Sequence, residues 1–289
     1  MDGGAPNRDG SLLVPMNLET LHDWLREYSG LDPASIGEDV LQELVRDRIS
    51  MLRCSSLNGY LDHLSGSAQE RLILIERLVV PETWFFRDRP SLEFAAQYAI
   101  KTWSKSHPKG PFRVLFMPCW TGEEPYSLAM AFAQAGWPLS RLRIEAIDIS
   151  RDSIRTAREG IYNGDSFRPP DLDFRETQLV PVRADTWRVP DDIRAAILFE
   201  QAILTAPGFV GMRVPYDAIF CRNLFFHMDS QAQSKAISVV NSLLQQEGIV
   251  AAGASELELL RKSGYRPVND LMPFVMSRVK AFVDPQRSR

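Results

Sequence analysis

MPCWTGEEPYSLAM, residues 117–130, is the stretch that decides the fold. It follows an apolar run, Val114-Leu115-Phe116, that reads as a buried strand and breaks at Pro118 and Thr121-Gly122. Glu123 and Glu124 then open a segment whose apolar positions, Leu128, Ala129 and Phe132 among them, fit a helix. A strand, a tight turn and an acidic helix start recur where an α/β sheet binds a nucleotide-like ligand beyond its strand ends. Helix N-termini favour anions, so two carboxylates placed there make a poor phosphate cradle. They suit a ligand carrying hydroxyls, an ammonium or a sulfonium. They also serve as ordinary charge complements of a helix start, and this stretch alone leaves both readings open.

The neighbouring stretches extend the pattern. RIEAIDIS, residues 143–150, is a second apolar strand ending at Asp148. An acid at that position can accept two ribose hydroxyls, or it can cap the helix that follows. That helix, RDSIRTAREGIY, runs into Gly160-Ile161-Tyr162; later YDAIFCRNLFFHMD supplies a strand ending at Arg222-Asn223, and upstream stands PETWFFRD, residues 81–88. An ET-aromatic-FFRD segment, a GEEPYS turn, a DIS strand end with GIY after its helix and an IFCRN strand, in this order and spacing, resemble the CheR-type chemotaxis-receptor methyltransferases. Members of that family use S-adenosylmethionine to methylate glutamates.

The resemblance implies a fold and a set of roles. The fold is α/β: a Rossmann-like, mostly parallel methyltransferase sheet with a small antiparallel β subdomain, preceded by a small all-α N-terminal domain. Thr83 and Arg87 match residues that contact the cofactor, and Arg87 matches one implicated in catalysis; its other reading is a surface pair with Asp88. Phe85 and Phe86 read as packing residues. Glu123 and Glu124 are expected at the cofactor's polar groups and Asp148 at the ribose. Arg222 and Asn223 are expected on the substrate side and near the cofactor. Arg87 or Arg222 can hold a carboxylate through a bidentate pair.

Composition sets limits on other readings. A net charge of −4 and a pI near 5.7 argue against a nucleic-acid binder. No stretch approaches the ~20 apolar residues of a membrane span, and MDGGAPNRDG is not a signal peptide. Cys54, Cys119 and Cys221 fit no disulfide framework or zinc spacing, and four histidines form no ligand cluster. A cytoplasmic, monomeric protein without a metal is expected.

The chain divides by period. Residues 1–78 read as a helical domain in which Leu41, Leu44, Val45, Ile49 and Leu52 recur at helical spacing. Residues 79–92 form a linker carrying ETWFFRD, and 93–289 form the methyltransferase domain, with the β subdomain at about 163–190. Strands are expected at 113–116, 143–148, 218–221, 248–252 and near 274–282, with a short hairpin in LVPVRADTWRVP.

Several positions depart from the family. Pro118 and Trp120 replace Gly and Ser of the usual turn. The Asn-Leu pair that meets adenine in relatives becomes Ile203-Leu204, or Ala202-Ile203 with a gap, so a side-chain amide contact is lost and a backbone contact survives. His227 takes the place of a Tyr near the reacting carboxylate in many relatives, keeping a donor but titrating near neutral pH. GHSE of relatives reads Gly253-Ala254-Ser255-Glu256.

The resemblance also implies a partner, the cytoplasmic methylation helices of a chemoreceptor, met by a basic face on the N-terminal helices. Arg46 and Arg53, seven apart, and nearby Arg48 are the candidates; the alternative is a solvated face balanced by Glu43 and Asp47. Residues 171–200 contain no glycine, so the tether that grips a receptor's C-terminal pentapeptide in some relatives is not expected. The leading reading is a glutamate O-methyltransferase yielding methyl esters and S-adenosylhomocysteine. The alternatives are a catalytically degenerate cofactor-binding regulator and a methyltransferase for another carboxylate.

Overall fold

A computed structural model of the chain describes residues 18–78, 83–168, 173–204, 206–225 and 228–278. The apolar period of the N-terminal stretch folds as four helices: α1 (Glu19–Ser29), α2 (Glu38–Leu52), α3 (Leu57–Gly66) and α4 (Ala68–Leu78). Leu21, Leu25, Leu41, Val45, Tyr60, Leu64 and Leu74 close a separate core between them. Gly30 ends α1 at φ 75°, and a Cβ there would stand 2.5 Å from that of Ala232. Only glycine permits both that backbone and that approach.

The connection turns into α5 (Arg89–Tyr98), a π-helical turn (Ala99–Trp103) and a short α6 (Ser104–Ser106). Strands and helices then alternate as β1 (Phe112–Phe116), α7 (Glu123–Gln134), β2 (Leu142–Asp148) and α8 (Arg151–Glu159). A small sheet follows, built from β3 (Ile161–Asn163), β4 (Val180–Arg183) and β5 (Thr186–Arg188), with α9 (Asp173–Gln178) between β3 and β4. The remainder is α10 (Asp191–Arg194), β6 (Ile197–Gln201), β7 (Tyr216–Cys221), α11 (Ser230–Leu243), β8 (Leu244–Ala252), α12 (Leu257–Lys262), β9 (Arg266–Pro267) and β10 (Val275–Ser277).

Among the described residues the large sheet has seven strands in the order β6-β2-β1-β7-β8-β10-β9, and the small one has the order β3-β5-β4. β6, β2, β1, β7 and β8 run parallel; β10 and β9 are antiparallel additions. Both faces of the sheet's centre are covered, so β1 and β7 are buried almost throughout rather than alternating. Phe112, Val114 and Phe116 pack on one face, Leu115 and Met117 on the other. The strand order reverses between β1 and β7, and a crevice opens beyond the carboxyl ends of such strands.

β3, β6 and β9 were not among the expected strands, and β3 is only three residues long. β6 is an edge strand whose Leu198 is 63% exposed, so it lacks the continuous burial that marks its neighbours. β9 is two residues long. β8 begins at Leu244, earlier than expected: Leu244 pairs with Tyr216, and the exposed residues 245–247 fall in an irregularity of that pairing before Ile249 meets Ala218.

Candidate active site

The turn after β1 is tied to the end of β2. Cys119 N–H donates to the Ile147 carbonyl at 2.8 Å, and Trp120 N–H donates to Asp148 Oδ2 at 2.8 Å. Trp120 carries φ 51° and Gly122 φ 98°. A side chain at Gly122 would meet Ala157 Cβ at 2.8 Å and the Tyr162 hydroxyl at 3.0 Å, so the turn packs directly against α8 and β3. The left-handed Trp120 is uncommon for a bulky residue, and such conformations concentrate at functional sites.

Asp148 closes β2 with its carboxylate buried. Oδ2 accepts from Trp120 N–H and Oδ1 from Ser150 N–H at 2.9 Å. A carboxylate offers about four acceptor positions, so each oxygen retains capacity for a further donor. Burial pushes its pKa up to about 6, and the backbone N–H bonds oppose that rise.

A cleft borders Asp148. Met117, Pro118, Trp120, Ile147, Ile149, Ala202, Ile203 and Leu204 make it mainly apolar. Asn223, Leu224 and Met228 form another wall. Ser29, Leu31 and Ile75 close it from the helical region, which sequence reasoning did not foresee. Nothing in their local pattern distinguishes them from ordinary helix and turn residues, because the wall arises only on docking. That docking is held by Asp229 N–H donating to the Gly30 carbonyl at 3.1 Å and by a bridge between Leu31 and Met228.

Glu123 and Glu124 stand apart from this cleft. Glu123 Oε2 accepts from Thr121 Oγ1 at 2.7 Å and Oε1 from Ser166 Oγ at 2.8 Å, and burial raises its pKa. Its oxygens join the turn to the segment after β3, and Glu123, expected at the cofactor's polar groups, is not among the residues that line the cleft. Glu124 lies 3.5 Å from Arg222 Nη1.

Arg222, expected on the substrate side and near the cofactor, is held by partners within the chain. Its side chain is 8% exposed, with Nη2 at 2.7 Å from Asp88 Oδ2, and Nη1 also donates to the Arg87 carbonyl at 3.3 Å. One guanidinium thus joins β7, α7 and the connection 83–88. A carboxylate ligand would have to displace Asp88 or Glu124 to reach it. The alternative pairing of Arg87 with Asp88 gives way to this arrangement.

The connection is anchored as its aromatics suggest. Phe86 N–H donates to Ser127 Oγ at 2.8 Å and Phe85 N–H to the Ser166 carbonyl at 2.9 Å. Phe85 packs on Tyr162 and Phe167. Arg87 therefore projects from a fixed base. Its guanidinium lies 4.5 Å from the Trp84 ring centroid, and that of Arg168 lies 4.1 Å from the same ring. With the Asn223 amide oxygen turned toward it, as its hydrogen-bond surroundings require, Asn223 accepts from Arg87 Nη2 and Nη1 at 3.1 and 3.2 Å. Thr83 Oγ1 is buried with no hydrogen-bond partner among the described residues. His227, with Phe226, Pro81 and Glu82, lies outside the described residues.

The docking candidates separate. Arg48 is 5% exposed and bidentate to Glu70, Nε to Oε1 at 2.8 Å and Nη2 to Oε2 at 2.5 Å, while Tyr60 Oη donates to Glu70 at 3.1 Å. It is a core residue of the helical region, not a docking residue. Helical spacing gave no sign of this, since the partner Glu70 sits two helices away. Arg46 is half-buried and donates to Gln42 Oε1 at 3.0 Å. Arg53 is exposed just past α2 at φ 53°, off the helical register it was expected to share with Arg46.

The chain is similar to known proteins over most of its length. Residues 81–266 match the family described as CheR methyltransferase, SAM binding domain. The probable biofilm formation methyltransferase WspC of Pseudomonas aeruginosa is 36% identical over 88% of this chain and 60% of its own. The chemotaxis protein methyltransferase of Escherichia coli is 31% identical over 89% of this chain and 92% of its own. Chemotaxis protein methyltransferase 2 of Vibrio cholerae is 32% identical over 72% and 74% respectively. The chain spans about three fifths of the length of the two WspC proteins it matches.

Proposed function

Since the chain belongs to the CheR methyltransferase family, we propose that it transfers a methyl group from S-adenosylmethionine to glutamate side chains of a chemoreceptor-like protein. The products are a glutamate methyl ester and S-adenosylhomocysteine. The observation that carries the reading is that Arg87 is held by Asn223, which lines a cleft whose buried acceptor is Asp148.

The residues fit the cofactor. Asp148 has acceptor capacity for ribose hydroxyls, the apolar wall at Ile203 and Leu204 suits adenine, and Thr83 Oγ1 in the connection is a buried hydroxyl with no hydrogen-bond partner among the described residues. Where relatives use a side-chain amide for adenine, Ile203 leaves that contact to backbone groups. When bound, S-adenosylmethionine supplies a methyl already activated by its sulfonium.

The chain's own residues orient the substrate, restrain the group that orients it and exclude water. A glutamate is ionised at neutral pH, so none of them has to act as a general base. Arg87 orients the carboxylate through charge-assisted hydrogen bonds. Its contact with Asn223 and its place on Trp84 restrain the guanidinium, so that the carboxylate is held without being buried in a full ion pair. The apolar walls exclude water, which strips the carboxylate and leaves in-line placement to lower the barrier, a contribution of up to about 7–11 kcal/mol.

The test is incubation with labelled S-adenosylmethionine and receptor cytoplasmic fragments, scored by base-labile methanol release. Release that depends on fragment glutamates supports the reading. Binding of S-adenosylhomocysteine without release favours a regulator in which Trp120, at φ 51° in the cleft wall, has narrowed the site.

A further inference from the structure

The loop that follows β7 carries Asn223 to Arg87 and Leu224 to the cleft wall, and one buried carboxylate holds that loop. Glu256 is fully buried. Its Oε1 accepts from Leu224 N–H at 3.1 Å, Phe225 N–H at 3.3 Å and Ser255 Oγ at 2.8 Å, and its Oε2 accepts from Gly253 N–H at 2.9 Å. Every strong donor it meets belongs either to the loop after β7 or to the turn after β8. A Cβ on Gly253 would stand 2.6 Å from Oε2, so glycine at that position is what lets the carboxylate reach both loops.

We infer that Glu256 is a positioning residue of the active site. It sets the turn in which Asn223 takes φ 54°, a conformation a non-glycine residue holds only when its surroundings impose it. Fixing that turn fixes where the Asn223 amide meets Arg87, and so the angle at which Arg87 presents its guanidinium to a carboxylate. This role deepens the proposed methyl transfer and rests on it for its kinetic consequence, but not for its structural one. Glu256→Gln is a close steric match that replaces one acceptor by an NH₂ facing N–H donors, which the turn cannot accommodate without moving.

Two measurements test it. The first needs no turnover: the side-chain N–H resonance of Arg87, assigned by its loss in Arg87→Lys, should broaden or shift in Glu256→Gln while the variant keeps a cooperative melt. The second is a kinetic cycle with Arg87→Ala. Glu256→Gln should lower turnover by about 10–100-fold, the scale of a small misplacement of a reacting group. It should cost S-adenosylhomocysteine affinity less, and add little in the Arg87→Ala background. An unperturbed Arg87 signal, or equal turnover losses in both backgrounds, would overturn the assignment, since a general loss of stability is additive. If Glu256→Gln does not fold, Gly253→Ala displaces the same carboxylate and should show both effects in milder form; a silent Gly253→Ala then counts against it. A wild-type chain with no turnover would sink the methyl-transfer reading, and the resonance would still decide the anchoring.

Discussion

Asp148 gives the site a pH dependence of its own. Burial raises its pKa from 3.8 to about 6, so the folded protein holds a proton there that the unfolded chain has released. Stability of the uncomplexed protein therefore falls as pH rises through that window, by about 1.4 kcal/mol per unit. Accepting ribose hydroxyls needs the ionised form, so ligand affinity runs the other way. Calorimetry with S-adenosylhomocysteine should show affinity level above neutrality and falling toward tenfold per unit below pH about 6. Asp148→Ala should lose about 1–3 kcal/mol of binding and flatten that profile; equal affinity in the variant would remove Asp148 from the site. Arg87 calls for a different readout. If its guanidinium orients the substrate carboxylate, Arg87→Ala should lower turnover far more than it weakens product binding. Parallel losses would mean that it serves the cofactor, and full activity in a folded variant would exclude both roles.

Arg222 joins elements of the fold, and its variants should report on stability. It stands between Asp88 and Glu124, with side-chain exposures of 28% and 9%, so removing it leaves two carboxylates facing each other across a largely dry junction. Breaking such a buried arrangement costs about 3–5 kcal/mol, so Arg222→Ala should lower the denaturant midpoint markedly, and Asp88→Asn by less. A near-neutral Arg222→Ala would reassign the guanidinium to ligand binding. The same element scale shows what the sequence could reveal. The alternation of apolar strands with helices placed β1, β2, β7 and β8 because parallel strands buried on both faces leave continuous apolar runs. It passed over β6, whose outer edge is open to solvent. The turn residues at the cleft that borders Asp148 lie where a strand end must deliver them. The directions of Glu123, Arg222 and Arg48 were not legible, because each is decided by a partner 22 or more residues away: Ser166, Asp88 and Glu70. Glu256 shows the converse. It was visible only as part of a four-residue match, and its chemistry appears once β7 and β8 are adjacent.

At the scale of the whole molecule, the helical region is both a wall of the cleft and the proposed docking surface for the receptor. Ser29, Leu31 and Ile75 line the cleft, so a partner that steadies these helices is thermodynamically linked to cofactor binding. Two surfaces compete as the place where the receptor is gripped. β4 forms an edge of the small sheet with Val180 and Val182 exposed, and an extended peptide can in principle add to such an edge. That edge is poorly suited to pairing with a further strand, since Pro181 lacks a backbone donor and the pairing with β5 is irregular between Pro181 and Arg183. Residues 171–200 also hold no glycine with which a loop could close over a bound strand. The remaining basic candidates are half-buried Arg46 and exposed Arg53, and contacts between exposed charges weaken as salt shortens their range to about 10 Å at 0.1 M. Methylation of a receptor cytoplasmic fragment should therefore decline with rising salt and with Arg53→Glu, and should persist when the receptor's final residues are deleted. Initial rates on full-length and tail-deleted fragments measure both effects together. Loss of methylation on tail deletion, with Arg53→Glu silent, would move the grip from the helices to the β4 edge.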